Sequence, residues 1–113
     1  MAEERAHLVE LEDGGALNVV ELGTGYPLML LHGGPGLDHH EFRPWMDPLA
    51  DQGFRLIYVD ERGQGASPRV DPSTLSIQVF AQDIDRLARA MNLDEYAVLG
   101  HSFGACIALS HAL

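Results

Sequence analysis

The run Leu28-Met29-Leu30-Leu31 carries no polar side chain at either parity. A strand with one wet face alternates apolar and polar residues, so a run that is apolar throughout belongs to a strand covered on both faces. Two further runs follow, Phe54 to Val59, apolar but for Arg55 near its start, and Tyr96 to Leu99. Between them the apolar spacing becomes helical. Phe42, Trp45, Met46 and Leu49 mark one segment; Phe80, Ile84, Leu87, Ala88 and Met91 mark a second, with Ser76 placed as its N-cap. From Phe103 to Leu113 the residues are apolar or small and suit a helix lying close on a sheet. Upstream, His7 to Leu11 and Ala16 to Leu22 alternate around Asp13-Gly14-Gly15, the pattern of a β-hairpin with one wet face on each strand. A hairpin followed by three strand-helix pairs predicts an α/β fold. Its later strands are parallel, because each crossover helix returns the chain to the same end of the sheet. The loops after those strands then meet on one edge, where open α/β sheets hold their ligands.

The 113 residues suffice for one compact domain and show no repeat, low-complexity stretch or linker, so residues 1–113 read as one continuous unit. Hydrophobic residues at 46% and charged residues at 21% exclude a disordered or collagen-like chain. The net charge of −10 repels phosphate backbones and anionic lipid, which argues against nucleic acid and membrane as partners and leaves a small molecule or short peptide. Cys106, the single cysteine, cannot form an internal disulfide, and its apolar surroundings predict a packed side chain. The charged start, Met1 to His7, lacks an apolar signal core, and no apolar run approaches the roughly 18 residues of a membrane span; a cytoplasmic location is the default expectation.

Chemistry enters with Gly100-His101-Ser102-Phe103-Gly104, a G-x-S-x-G between a predicted strand and a predicted helix. The string alone arises by chance in roughly 3–4% of chains this long, so its position carries the argument. At such a turn the serine takes strained backbone angles, small residues on either side avoid clashes as strand reverses into helix, and the hydroxyl projects at the positive helix end. A plain helix-capping turn or a phosphate loop are the competing readings. Against the latter, no G-x-G-x-x-G follows a strand, no Gly-Lys-Ser/Thr occurs, and Gly63-x-Gly65 leads to Pro68 rather than into a helix.

The second loop, His32-Gly33-Gly34-Pro35-Gly36, follows the first buried strand. Attack of a serine on an ester or amide passes through a tetrahedral oxyanion that needs two aimed backbone N–H groups. Phe103 supplies one, and Gly34 is assigned the other, with Gly33 as the fallback; Pro35 fixes the loop. His32 reads as a loop-stabilising hydrogen-bonder, and Asp60 and Arg62 as charged ties between strand ends and loops. His39 and His40 are expected at a solvated rim. His101 is expected to point away from Ser102, since adjacent side chains on a sharp turn diverge. His39 and His40 form no metal site with a nearby cysteine or carboxylate at ligand spacing.

Taken together, His-Gly-Gly-Pro-Gly at 32 to 36, Asp60-Glu61-Arg62-Gly63-Gln64-Gly65-Ala66-Ser67 and Gly-His-Ser-Phe-Gly at 100 to 104 resemble the α/β-hydrolase superfamily, and within it the proline iminopeptidase-like branch. The resemblance runs from about Leu28 to Leu113. Members of that branch often have Gln where this chain has Glu61, and a bulky aromatic after the nucleophile, here Phe103. The resemblance implies a hydrolase acting on an amide or ester through an acyl-enzyme at Ser102, without a cofactor, and in one version an aminopeptidase. Epoxide- and haloalkane-cleaving relatives usually carry Asp at the nucleophile position, so Ser102 points away from both. In this fold the acid and the histidine follow the nucleophile in the chain, which places them after residue 113. The expectation is therefore an N-terminal portion cut within the helix that starts at the elbow, inactive alone and prone to self-association through an uncovered strand edge. A non-catalytic binding protein on the same fold, or a structural fragment with an unused elbow, remains the alternative.

Overall fold

The computed structural model describes residues 3–113. The hairpin forms, with two departures: β1 (Glu4–Glu10) starts three residues before His7 and ends before Leu11, and β2 (Ala16–Leu22) has no wet face, since Leu17 and Val19 are buried on one side and Val20 and Leu22 on the other; the strands pair antiparallel from Glu4 opposite Leu22 to Glu10 opposite Ala16. Gly14 takes φ +91° in the turn, a conformation that favours glycine. β3 (Tyr26–Leu31), β4 (Phe54–Val59) and β5 (Ala97–Gly100) complete one five-stranded sheet in the order β1-β2-β4-β3-β5. β3 lies between β4 and β5 and runs parallel to both, while β4 meets β2 antiparallel.

The apolar run of β3 is explained by cover on both sides. Met29 and Leu31 join Leu17, Val19, Ile57 and Val59 beneath two helices, α1 (Ile77–Ala90) and α2 (Phe103–Ala112), which contribute Phe80, Ile84, Leu87 and Ile107. Leu28 and Leu30 face the other way, with Val20, Leu22, Leu56 and Tyr58, against Phe42, Met46 and Leu49. Ser76 caps α1 as expected, its hydroxyl accepting the Val79 N–H at 3.2 Å.

Three further expectations are corrected. The helical spacing at Phe42 to Leu49 does not give an α-helix; it gives two short 3-10 turns, His39–Phe42 and Asp47–Asp51. Pro44 and Pro48 remove the amide hydrogens that a continuous helix needs, and Trp45 is left 76% exposed. The third strand is Ala97–Gly100 rather than Tyr96 to Leu99, and it is only half-buried: among the described residues it pairs with β3 alone. Cys106 is exposed rather than packed, because the face of α2 that meets the sheet is set by Gly104 and Ile107, three residues apart, and Cys106 falls off that face.

Candidate active site

The loops after β3, β4 and β5 meet at one edge of the sheet, and the G-x-S-x-G turn links β5 to α2 there. Ser102 has φ 56° and ψ −116°, one of two non-glycine residues with positive φ among those described. Such a conformation costs on the order of 1–3 kcal/mol and persists only where the surroundings hold it. Here the His101 N–H donates to the Leu31 carbonyl of β3 at 3.1 Å, and the Gly104 N–H donates to the His101 carbonyl at 2.9 Å. The flanking glycines are required by contact: a Cβ on Gly100 would overlap the Gly104 backbone, and one on Gly104 would overlap the Leu31 carbonyl. The Ser102 hydroxyl makes no capping bond to α2. Phe103 turns its ring into the core, edge-on to Phe80 at 5.5 Å. Its N–H belongs to the first turn of α2, where amides have no partner within the helix.

The oxyanion-loop candidates run directly against this turn. A Cβ on Gly33 would lie 3.3 Å from both the Ser102 Cβ and the His101 carbonyl oxygen. Gly34, at φ +123°, could not carry a side chain without meeting the Gly36 and Leu37 amides. Gly33 donates its N–H to Glu41 Oε1 at 2.6 Å, and Gly36 donates to Gln64 Oε1 at 2.7 Å. Among the described residues the Gly34 N–H has no acceptor. The Gly33 N–H is thus committed to Glu41, while Gly34 and Pro35 follow it in the same loop.

His32 stabilises the loop, fully buried at the end of β3. Its Nε2 accepts the Glu61 N–H at 3.1 Å, which assigns the ring proton to Nδ1, and Nδ1–H donates to the Gly33 carbonyl at 2.7 Å. Asp60 and Arg62 also act as ties. Asp60 accepts from the His39 N–H, His39 Nδ1–H, Asn18 Nδ2–H and Ala66 N–H within 2.7–3.0 Å. Burial alone would raise its pKa, but these bonds outweigh that and hold the carboxyl well below the usual range. Arg62 binds both oxygens of Asp83 on α1 and reaches Asp13 in the hairpin turn.

His39 is a correction. It is buried against Asp60 and Tyr58 instead of lying at a rim, because the Asp60 carboxylate takes both its backbone and its ring proton; His40 is exposed as expected. The His101 ring is exposed, and its Nδ1–H donates to Glu41 Oε1 at 3.2 Å.

Two functional candidates escaped the sequence, Glu41 and Glu61. Glu41 stood in a stretch that reads as an amphipathic helix and carried no motif. Glu61 was visible only as a departure from the Gln common in the resembling branch. Its carboxyl is buried with neither oxygen hydrogen-bonded among the described residues, and burial, with the Glu41 and Asp60 charges, pushes its pKa up to about 9. The nearest cation candidate, His32 Nδ1 at 3.7 Å, is committed to Gly33.

Two open clefts lie near this edge, the first bordering the turn and the second lying between the loops after β3 and β4. One, of about 290 Å³, is lined by Glu41, Phe42, Trp45, Met46, Leu99, Gly100 and His101; the other, of about 390 Å³, by Gly36, Leu37, Asp38, Glu41, Gly65 and Arg69. Glu41 borders both. Among the described residues no three His, Cys, Asp or Glu side chains gather as a metal site, and no helix is long and apolar enough to cross a membrane.

A strained serine between a parallel strand and a helix, faced by a glycine loop from the neighbouring strand, defines the α/β-hydrolase arrangement. The family model for the alpha/beta hydrolase fold matches residues 26–113, and the chain belongs to that family. It is 34% identical over 108 residues to a proline iminopeptidase of Xanthomonas citri, covering 92% of this chain and 34% of that protein. It is equally 34% identical over 113 residues to a soluble epoxide hydrolase of a Corynebacterium strain, covering 99% and 38%. The crystal structure of a proline iminopeptidase-related protein from Thermus thermophilus superposes with a TM-score of 0.83 at 32% identity, covering 97% of this chain and 40% of that one. These matches support the proline iminopeptidase-like branch. The chain spans between a third and two fifths of the length of these relatives.

Proposed function

We propose that this chain carries the nucleophile and oxyanion hole of a serine hydrolase that cleaves an amide or ester bond through an acyl-enzyme. The observation that carries the reading is the positive φ of Ser102 at the head of α2, with the glycine loop packed against it through Gly33. In this mechanism the Ser102 hydroxyl attacks the substrate carbonyl, and the N–H groups of Phe103 and Gly34 receive the negative charge that develops on its oxygen. No described histidine bonds the Ser102 hydroxyl, so the base and its orienting acid are assigned to sequence of the full-length protein outside these 113 residues. The same assignment makes the 113-residue chain inactive by itself.

The likeness to proline iminopeptidases supports an aminopeptidase acting on short peptides, with an esterase as the nearest variant. Epoxide opening through an alkyl-enzyme ester calls for a carboxylate at the elbow, and Ser102 supplies a hydroxyl.

The test is labelling of the full-length protein with a fluorophosphonate probe, followed by mass spectrometry of the modified peptide. Label on Ser102, lost in Ser102→Ala, is the expected result. Label that persists elsewhere in Ser102→Ala, or no label at all, overturns the assignment.

A further inference from the structure

A single carboxylate oxygen joins the two halves of the candidate site. Glu41 Oε1 accepts the Gly33 N–H at 2.6 Å and the His101 Nδ1–H at 3.2 Å. Gly33 belongs to the loop after β3, His101 to the turn after β5, and Glu41 to a third element, the 3-10 turn His39–Phe42. That turn has a fixed base, with Phe42 buried in the core and His39 held by Asp60 through two hydrogen bonds. Glu41 is therefore presented from a rigid support, its side chain 21% exposed, and its bond to Gly33, at 2.6 Å, is slightly shorter than the roughly 2.7–2.9 Å usual for a charge-assisted N–H···O bond.

We propose that Glu41 is a positioning residue for acyl transfer at Ser102, latching the glycine loop to the elbow so that Gly34, not Gly33, presents its N–H to the oxyanion. The inference rests on the nucleophile reading given above. Its logic is geometric. Two consecutive glycines have almost no steric preference of their own, so either amide could turn toward the substrate unless one is held. Glu41 holds Gly33. Placing the latch against the elbow also fixes the spacing between the loop and Ser102, and misplacement of about 1 Å at such a distance can cost on the order of 100-fold in rate. A negative charge beside a forming oxyanion is unfavourable in itself, so the function lies in the acceptor oxygen, which an amide carbonyl can replace.

The experiment compares the full-length wild type with Glu41→Ala, Glu41→Gln and Ser102→Ala, using p-nitrophenyl acetate turnover, the rate of fluorophosphonate labelling at Ser102, and thermal melting. Glu41→Ala is expected to lower kcat by about 10- to 100-fold, less than the roughly 100- to 1000-fold that follows outright removal of an oxyanion donor, with KM within about two-fold and labelling slowed in parallel. Glu41→Gln is expected within about three-fold of wild type. Three results would overturn the proposal: an unimpaired Glu41→Ala, a change confined to KM, or a Glu41→Gln as impaired as Glu41→Ala. Should Glu41→Ala fail to fold, Glu41→Gln decides alone, since a normally melting Gln variant with a rate below a tenth of wild type overturns the acceptor role. The two readings separate cleanly. Ser102→Ala with full turnover removes the nucleophile assignment and this one with it, whereas an inactive Ser102→Ala beside an unimpaired Glu41→Ala removes this one only.

Discussion

At the end of β4 two consecutive carboxyl side chains enter opposite sides of the sheet and meet opposite environments. Asp60 turns toward the 3-10 side, where four donors from His39, Asn18 and Ala66 satisfy it. Glu61 turns toward the helix side, among Leu17, Met29, Phe80 and Ile107, where neither oxygen has a described partner. Both are buried to a similar degree, at 1% and 4% exposure. Burial therefore does not decide whether a carboxyl supports this fold; hydrogen-bonding does. The Asp60 side is a brace and the Glu61 side is a standing cost.

The sharpest way to test that contrast is to remove the brace. Asp60→Ala would leave the His39 ring, the Asn18 amide and two backbone N–H groups without their acceptor, and the expected loss is about 3–5 kcal/mol of unfolding free energy, measured by denaturant melts of the full-length protein. A loss below about 1 kcal/mol would mean that water replaces the carboxylate and that Asp60 braces nothing.

Glu61→Gln is expected to do the reverse. The folded pKa of Glu61 is raised to about 9 from an ordinary 4.5, so the unfolded chain gives up this proton first. Its contribution to stability is intact below about pH 4.5, is lost progressively as pH rises, and is gone by about pH 9. At pH 7 the deficit is on the order of 3 kcal/mol at about 1.4 kcal/mol per pH unit, and the neutral glutamine should recover about 2 kcal/mol of it, less than the whole because its amide is also buried. Asp60 has the opposite sign: its lowered pKa gives stability present above the ordinary value of 3.8 and lost as pH falls below it. Melts of wild type and Glu61→Gln across pH 4.5 to 9 check the difference. Parallel curves would place a partner for Glu61 in the rest of the protein.

The smallest effect concerns backbone strain rather than charge. Ser102→Gly relieves the positive φ, and the expected gain is up to about 1 kcal/mol, partly offset by the extra freedom of glycine in the unfolded chain. A destabilised Ser102→Gly would show that the serine side chain contributes packing that outweighs its backbone cost.

Much of this arrangement was legible in the sequence. The unbroken apolar run of β3 predicted a strand covered on both faces, and the G-x-S-x-G between strand and helix predicted the strained turn, because in both cases a local pattern carries a geometric requirement. The segment Phe42 to Leu49 has helical periodicity yet forms no α-helix, because Pro44 and Pro48 remove the amides that a helix would use. His39, Glu41 and Glu61 were illegible for a different reason. Their environments are made by residues far along the chain, Asp60 for the first, Gly33 and His101 for the second, the apolar face of α1 and α2 for the third. No spacing rule encodes such meetings. Cys106 and the half-buried β5 show the same dependence, since exposure there is set by what lies beside the element and not by its own composition.

The Leu31 carbonyl has a consequence of a mechanical kind. It receives the His101 N–H and forms the surface on which Gly104 rests, and the next residue, His32, begins the loop that bears Gly34. The Ser102 turn and the glycine loop are thus located from one shared peptide group. When β3 shifts in thermal motion, both travel with it, so the displacement largely cancels in the distance between them. The relative placement of turn and loop therefore depends on this one peptide group more directly than on the rest of the sheet.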